Sequence, residues 1–157
     1  VMGLTFIKSG IFPNPDADQG QHEFTYALFP HQGDFRKGGV VREAYDLNCP
    51  MAWEKVQGIY EDSFSMLQIA EENVMADTVK AAEDGNGIIV RLYETWGMRT
   101  KVHVNFPLAP DAQVTACDCM ENFSGVENAD LTRAQDGWSF TMKPYEIKTL
   151  RIVNEKK

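Results

Sequence analysis

Residues 88–106 read I-I-V-R-L-Y-E-T-W-G-M-R-T-K-V-H-V-N-F, and this stretch decides the fold class. Apolar and polar side chains alternate in residues 88–96 and again in residues 100–106. Successive side chains of a β-strand point to opposite faces, so the alternation predicts two strands that each bury one face. The side chains expected inside are Ile88, Val90, Leu92, Val102, Val104 and Phe106.

The same pattern continues on both sides of this stretch. Residues 74–83 are expected to form a strand that the turn Asp84-Gly85-Asn86-Gly87 returns into residues 88–96, because Asn and Gly adopt positive φ at low cost. Residues 138–143 alternate again, and residues 145–153 carry apolar side chains on both faces, which predicts a bulge or two-sided burial. Short strands separated by turn signals predict an all-β fold, an antiparallel β-sandwich.

Two further segments complete the expected secondary structure. Residues 36–48 place apolar residues at helical spacing, which predicts one short helix in a connection, and Pro50 prevents its continuation. Near the start of the chain, Leu4-Thr5-Phe6-Ile7 is expected to enter a strand directly.

The composition limits the class of protein. The chain has 157 residues, of which 43% are apolar, and this length suits a single domain over residues 1–157. It has no apolar run of the roughly 18 residues that a membrane span requires. The formal charge of −8 argues against nucleic acid or an anionic membrane as a partner, because phosphate binding needs clustered Lys and Arg. The three cysteines are expected to be reduced thiols, which suits a cytoplasmic location.

No motif in the chain supplies a complete catalytic site. A glycosidase needs two carboxylates that face each other across the scissile bond, and acids at strand ends are usually solvated. His22 and His31 fall on opposite faces of a regular strand, so a metal-dependent, cupin-like enzyme would require both to converge with His103. The carboxylates considered, which form no diagnostic pair, are Asp16, Asp18, Glu23, Asp34, Glu94 and Glu146.

Residues 13–33 are the most informative polar segment and read P-N-P-D-A-D-Q-G-Q-H-E-F-T-Y-A-L-F-P-H-Q-G. A polar loop that contains Gly20 precedes an aromatic segment expected to be a strand over residues 22–28. Hydrogen-bonding side chains and close backbone approach suit the binding of sugar hydroxyls. A simple β-turn followed by a core strand is the alternative that these residues leave open.

Three motifs of the chain together resemble one enzyme family. They are D-Q-G-Q-H-E-F-T-Y-A-L at residues 18–28 followed by P-H-Q-G at 30–33, then I-V-R-L-Y-E at 89–94, and K-P-Y-E-I-K-T-L-R at 143–151. In this order they resemble the C-terminal β-region of family 38 glycoside hydrolases, in the branch of vacuolar, cytosolic and bacterial α-mannosidases. The resemblance covers nearly the whole chain and implies that it is a C-terminal part of a larger α-mannosidase.

The resemblance also implies which parts of the full enzyme carry the catalytic residues and which do not. A zinc ion and the aspartate nucleophile of a retaining mechanism belong to an N-terminal catalytic domain, and none of their motifs occurs in this chain. The chain alone is therefore expected to be inactive, with no catalytic residue, cofactor or metal of its own. Its expected partners are that catalytic domain and a mannose-containing oligosaccharide. The residues expected to border the sugar site are Asp18, Gln19, Gly20, Gln21 and His22, with His31 and Arg91 as loop-bracing residues.

A second function remains open beside this one. The chain could be a free-standing carbohydrate-binding or interaction module without a catalytic partner. Such a module needs a platform of exposed aromatic rings, for which Trp53, Tyr60 and Trp96 are the candidates. A C-terminal domain needs instead an exposed apolar patch where the catalytic domain docks.

Overall fold

The strands of the protein form two four-stranded antiparallel sheets, in a computed structural model that describes residues 3–58, 62–126, 128 and 130–154. The prediction of an all-β fold with one short helix is confirmed. The elements are α1 (Val40–Asn48), β1 (Gln68–Ile69), β2 (Val74–Ala81), β3 (Ile88–Glu94), β4 (Thr100–Asn105), β5 (Gln113–Cys117), β6 (Thr132–Ala134), β7 (Gly137–Met142) and β8 (Ile147–Val153).

The described strands are divided equally between the two sheets. The first sheet has the order β1-β4-β7-β6, and the second has the order β2-β3-β8-β5. The predicted hairpin between β2 and β3 is present. In its turn, the Asp84 carboxylate accepts a hydrogen bond from the Asn86 N–H at 2.9 Å, and Gly85 and Gly87 adopt positive φ.

The inner faces of both sheets supply one hydrophobic core. Val102 and Val104 of β4 are fully buried, as the alternation predicts, and they share the core cluster with Leu92 of β3 and Leu150 of β8. Ile88, the first residue of β3, departs from the prediction because it is 36% exposed. Phe106, which follows β4, is buried as the alternation predicts.

Strand β8 is buried on both faces, which confirms the prediction for residues 145–153. Its inner side chains enter the main core, while Thr149 and Arg151 lie beneath a loop that follows β5. Under the same cover, Ile89 is 0% exposed and packs in a second small cluster with Ala82 and Cys117. The outer face of this sheet is thus partly an interior surface.

Helix α1 confirms the predicted helical segment but begins later than expected. Residues 35–39 form turns, and the helix starts after Gly39, which has a left-handed backbone conformation. Arg42 Nη2 donates to the Glu72 carbonyl at 3.4 Å, which connects the helix to the segment before β2.

The predictions for the first 33 residues are wrong in one respect. Neither residues 4–7 nor residues 22–28 belong to a strand ladder in the described chain, and their side chains are exposed. An extended segment becomes a strand only when a neighbour supplies backbone hydrogen bonds, and none of the described segments does so here. The alternation of residues 22–28 nevertheless persists, since the Phe6 ring contacts both Phe24 and Tyr26 at centroid distances of 5.4 and 5.3 Å.

Candidate functional site

The polar loop of residues 14–22 is organised by its own hydrogen bonds. The Asn14 Oδ1 accepts from the Asp16 N–H at 3.1 Å, and the Gln19 amide donates to the Asp16 carboxylate at 3.3 Å. The His22 Nε2 lies 2.8 Å from the Asp18 carbonyl oxygen. A carbonyl oxygen only accepts, so this contact assigns the ring proton of neutral His22 to Nε2.

Backbone conformation gives the loop its shape. Asp18 has φ 57° and Gly20 has φ 132°. Asp tolerates the left-handed region better than most residues, and only Gly readily adopts the second value. Within the described chain, the Asp18 carboxylate and the Gln21 amide have no hydrogen-bond partner. The loop therefore presents a carboxylate and an amide, two groups that can bind hydroxyls, at an exposed turn.

An exposed aromatic segment continues directly from this loop. The His22 and Phe24 rings are stacked with centroids 6.1 Å apart, and Phe24 in turn stacks on Phe6. Tyr26 and Leu28 are also exposed. A contiguous run of large apolar side chains at a surface marks a place where another molecule or domain binds.

His31 and Arg91 lie in different parts of the molecule. A Cβ at Gly38 would overlap the His31 ring, so His31 packs directly on the backbone just before α1. Arg91 projects from β3 on the outer face, where its Nη2 donates to the Cys119 carbonyl at 3.2 Å. Each side chain contacts a loop, but no contact in the described chain joins either one to residues 18–22.

Glu94 is the functional-looking residue that sequence reasoning misjudged. It was expected to be a solvated acid at a strand end, yet it is 2% exposed. Its Oε2 accepts from the backbone N–H groups of Gly97 at 2.7 Å, Met98 at 3.1 Å and Tyr145 at 2.9 Å. Its Oε1 accepts from the backbone N–H of Trp96 at 2.8 Å and from the side-chain amide of Asn73 at 2.7 Å.

These five donors decide the charge state of Glu94. Burial alone would raise the pKa of the carboxyl, but hydrogen bonds from Tyr145, Trp96, Asn73 and Met98 outweigh it and lower the pKa below its ordinary value. The carboxylate is fully engaged as an acceptor and has no face left for a substrate. Glu94 therefore joins the I-V-R-L-Y-E segment to the K-P-Y-E segment as a structural anion, and it is not a catalytic acid.

A second buried group of charges lies on the outer face of the β2-β3-β8-β5 sheet. Arg151 Nη1 lies 2.6 Å from the Asp84 carboxylate, and its Nη2 lies 3.3 Å from that of Glu121. Glu121 also pairs with Lys80 at 2.7 Å. Hydrogen bonding by Lys80 lowers the pKa of Glu121, and the Arg151 guanidinium lowers that of Asp84. These pairs fasten the loop after β5 over Arg151 and leave no free acid for chemistry.

The three histidines have separate surroundings. His103 on β4 lies 3.2 Å from the Asp136 carboxylate and 3.2 Å from the Ser139 hydroxyl, whereas His22 contacts its own loop. Over the described residues, no three His, Cys, Asp or Glu side chains are grouped so that they could hold a metal ion. The helices described there also include none that is long and apolar enough to span a membrane.

The aromatic candidates differ in exposure. Trp53 is 88% exposed, and Trp96 is half-buried in the turn after β3. Tyr60 lies outside the described residues. Exposed rings are thus available in the chain, although Trp53 stands on a segment without regular secondary structure.

Comparison with known proteins identifies the sandwich. Residues 73–150 match the family model described as the glycosyl hydrolases family 38 C-terminal beta sandwich domain. The chain belongs to this family. The segments around Glu94 and Tyr145 both fall within the matched range, whereas the loop of residues 18–22 precedes it.

Curated relatives of the family 38 domain match a longer range. Alpha-mannosidase 2C1 of Mus musculus is 31% identical over 157 residues, which cover 98% of this chain and 15% of that protein. Alpha-mannosidase G of Dictyostelium discoideum is 29% identical over 165 residues, which cover 98% of this chain and 14% of that protein. The yeast alpha-mannosidase is 24% identical over 174 residues. The chain thus spans about 15% of the length of the relatives it matches.

Proposed function

We propose that the chain is the non-catalytic C-terminal domain of a retaining α-mannosidase. In this proposal it packs on a zinc-containing catalytic domain supplied by other parts of the protein, and it lends residues 18–22 to the wall of the mannose site. The names of the relatives support the substrate class. Cysteines without disulfide partners support a cytoplasmic setting.

One observation carries the proposal. The loop of residues 18–22 is exposed and holds hydrogen-bonding groups without partners in the described chain, and it lies beside the exposed rings of Phe6, Phe24 and Tyr26. An apolar strip of this kind beside a polar loop suits an interface that ends at a hydrophilic pocket. In this proposal, the catalytic domain of the full-length enzyme packs on this surface and covers it.

In this proposal the zinc ion belongs to the catalytic domain. The described residues include no group of three potential ligands, which is the minimum that a catalytic zinc site uses. We propose that the chain positions and encloses the substrate, and no chemical step is assigned to its residues. We expect the isolated chain to hydrolyse no mannoside.

The test compares two histidines in the full-length enzyme. His22→Ala removes the exposed ring of the loop and is expected to lower kcat/KM by about tenfold or more, the effect of losing one positioned polar contact. His103→Ala is the matched control, because His103 lies on β4 with Asp136 and Ser139 as its partners. Unchanged kinetics of the His22 variant, with Tm preserved in both proteins, contradict the loop assignment.

A second measurement tests the interface separately from the loop. Hydrogen exchange of residues 21–30 is compared between the isolated chain and the full-length protein. Docking of the catalytic domain predicts strong protection of this segment in the full-length protein only, because buried and hydrogen-bonded amides exchange slowly. Equal exchange in both proteins refutes the packing proposal.

The free-standing module remains the second candidate because Trp53 is almost fully exposed. It predicts that the isolated chain binds mannose oligosaccharides and that Trp53→Ala abolishes the binding, since an exposed ring supplies the stacking surface. The proposed C-terminal domain predicts no measurable binding by the isolated chain. Titration calorimetry with a mannose oligosaccharide distinguishes the two.

A further inference from the structure

One cavity of this acidic chain has three basic side chains among the eight residues that line it. The whole chain has a formal charge of −8, so a local excess of positive charge is unexpected. The cavity has a volume of about 270 Å³ and lies where the segment before α1 meets the turn after β3 and the segment before β2. Its lining includes Arg36, Lys37, Gly39, Arg42, Glu72 and Trp96.

Glu72 shares the lining and Asp34 lies near Arg36 and Lys37, but neither carboxylate forms an ion pair with these cations. Within the described residues, Arg36, Lys37 and Arg42 form no ion pair with a carboxylate. Arg42 donates to a backbone carbonyl, that of Glu72, at 3.4 Å. The Asp34 carboxylate instead accepts from the backbone N–H groups of Arg36 and Lys37, both at 3.1 Å.

Arg36 provides a further sign that a partner is missing. Its Nε atom is buried and has no hydrogen-bond partner. A buried donor without a partner is costly, and such groups commonly bind a ligand, an ion or an ordered water. The guanidinium is meanwhile held over the Phe35 ring, with its Cζ 5.4 Å from the ring centroid.

Both walls of the cavity are fixed by residues described above. His31 packs directly on Gly38, which positions the backbone before α1. Gly39 has φ +71°, and its N–H donates to the Arg36 carbonyl at 3.1 Å, which holds the turn that carries Arg36. On the opposite side of the cavity, the backbone N–H of Trp96 donates to the buried Glu94 carboxylate at 2.8 Å.

We propose that this cavity binds the phosphate or sulfate group of a small anionic molecule. Two guanidinium groups match a tetrahedral oxyanion through paired N–H donors, and Lys37 adds a compact positive charge. The anion would provide the partner that Arg36 Nε lacks, and the Trp96 indole would contact the uncharged part of the molecule. The site is separate from the loop of residues 18–22 and does not depend on the proposed function.

In the experiment, inorganic phosphate is titrated into the full-length protein at low ionic strength, and its binding is measured by calorimetry. Arg42→Gln and Arg36→Gln are each expected to weaken binding by about tenfold or more, because a charge-assisted hydrogen bond is lost. Arg99→Gln is the matched control. Arg99 lines a different cavity, of about 470 Å³, that also contains Lys143 and Lys148, and its replacement is expected to change nothing.

A conservative variant guards against a folding artefact. Arg42→Lys keeps the charge but loses the paired donors, so its affinity should fall between those of the wild type and Arg42→Gln, with Tm unchanged in all variants. Three outcomes overturn the proposal: no phosphate binding by the wild type, binding by Arg36→Gln and Arg42→Gln as tight as that of the wild type, or a loss of binding confined to Arg99→Gln.

Discussion

Replacing Glu94 with Gln tests whether one buried carboxylate holds the end of the sandwich together. The substitution preserves shape but leaves a single oxygen to serve five donors. If that oxygen faces Gly97, Met98 and Tyr145, the new amide NH₂ group faces the Trp96 backbone N–H, so that two hydrogen-bond donors point at each other. At least one buried donor is then unpaired, and the remaining bonds lose their charge assistance.

The expected cost follows from these contacts. One unsatisfied buried donor costs about 1–3 kcal/mol, and weaker hydrogen bonds elsewhere bring the total to about 3 kcal/mol. For a domain of this size, that corresponds to a fall in Tm of about 6–12 °C. Glu94→Ala removes both acceptors and should cost more, because four backbone N–H groups then lose their partner.

Chemical denaturation of the chain measures this cost, with two controls. Glu83→Gln changes an acid whose side chain is 82% exposed and should stay within about 0.5 kcal/mol of the wild type. Tyr145→Phe should also be nearly silent, because Glu94 binds the backbone N–H of Tyr145 and not its hydroxyl. A Glu94→Gln variant as stable as Glu83→Gln refutes the reasoning.

The pH dependence gives the same prediction an independent form. The folded pKa of Glu94 lies below its ordinary value of 4.5, so below pH 4.5 the unfolded chain binds more protons than the folded chain. The stability that Glu94 contributes is therefore fully present above pH 4.5 and lost as the pH falls through the folded pKa. The difference in unfolding free energy between wild type and Glu94→Gln should shrink on acidification, and a constant difference contradicts the assignment.

Two further predictions concern the β2–β3 turn and the thiols. Gly85→Ala places a side chain in open space at positive φ and should lower the unfolding free energy by about 1 kcal/mol. Gly87→Ala also drives its Cβ into a backbone carbonyl of β8 and should lower Tm markedly more. Equal effects of the two variants contradict the described turn. Cys49 and Cys119 are exposed and should react quickly with a maleimide. Burial raises the pKa of Cys117 and should keep its thiol unreactive until the protein unfolds. Peptide mass spectrometry measures the order of labelling, and Cys117 labelled first contradicts its placement.

The fold was predictable because its strands follow the period-2 rule where both neighbours are present. Val102, Val104, Phe140 and Met142 are buried as the alternation requires. The rule also placed Glu94 on the inner face with Leu92, and only the general expectation that acids are solvated argued otherwise. The missed signal was the turn Trp96-Gly97-Met98, whose backbone N–H groups need an acceptor at this position.

Other features could not be read from the sequence. The burial of Arg151 depends on Glu121 and Asp84, which are 30 and 67 positions away. Residues 22–28 have the alternation of a strand, but whether they pair depends on a neighbour that the described chain does not contain. The net charge of −8 likewise concealed the cations around Arg36, because a sum over the chain carries no positions.

The placement of β8 has a consequence for biosynthesis. This strand is the last of the eight strands among the described residues, yet it lies inside its sheet between β3 and β5. Its Thr149 pairs with Arg91, 58 positions earlier. While the ribosome is still adding residues 147–153, β3 and β5 both lack this neighbour and expose hydrogen-bonding edges. Until β8 emerges, the nascent polypeptide therefore keeps two unpaired strand edges that can associate with other chains.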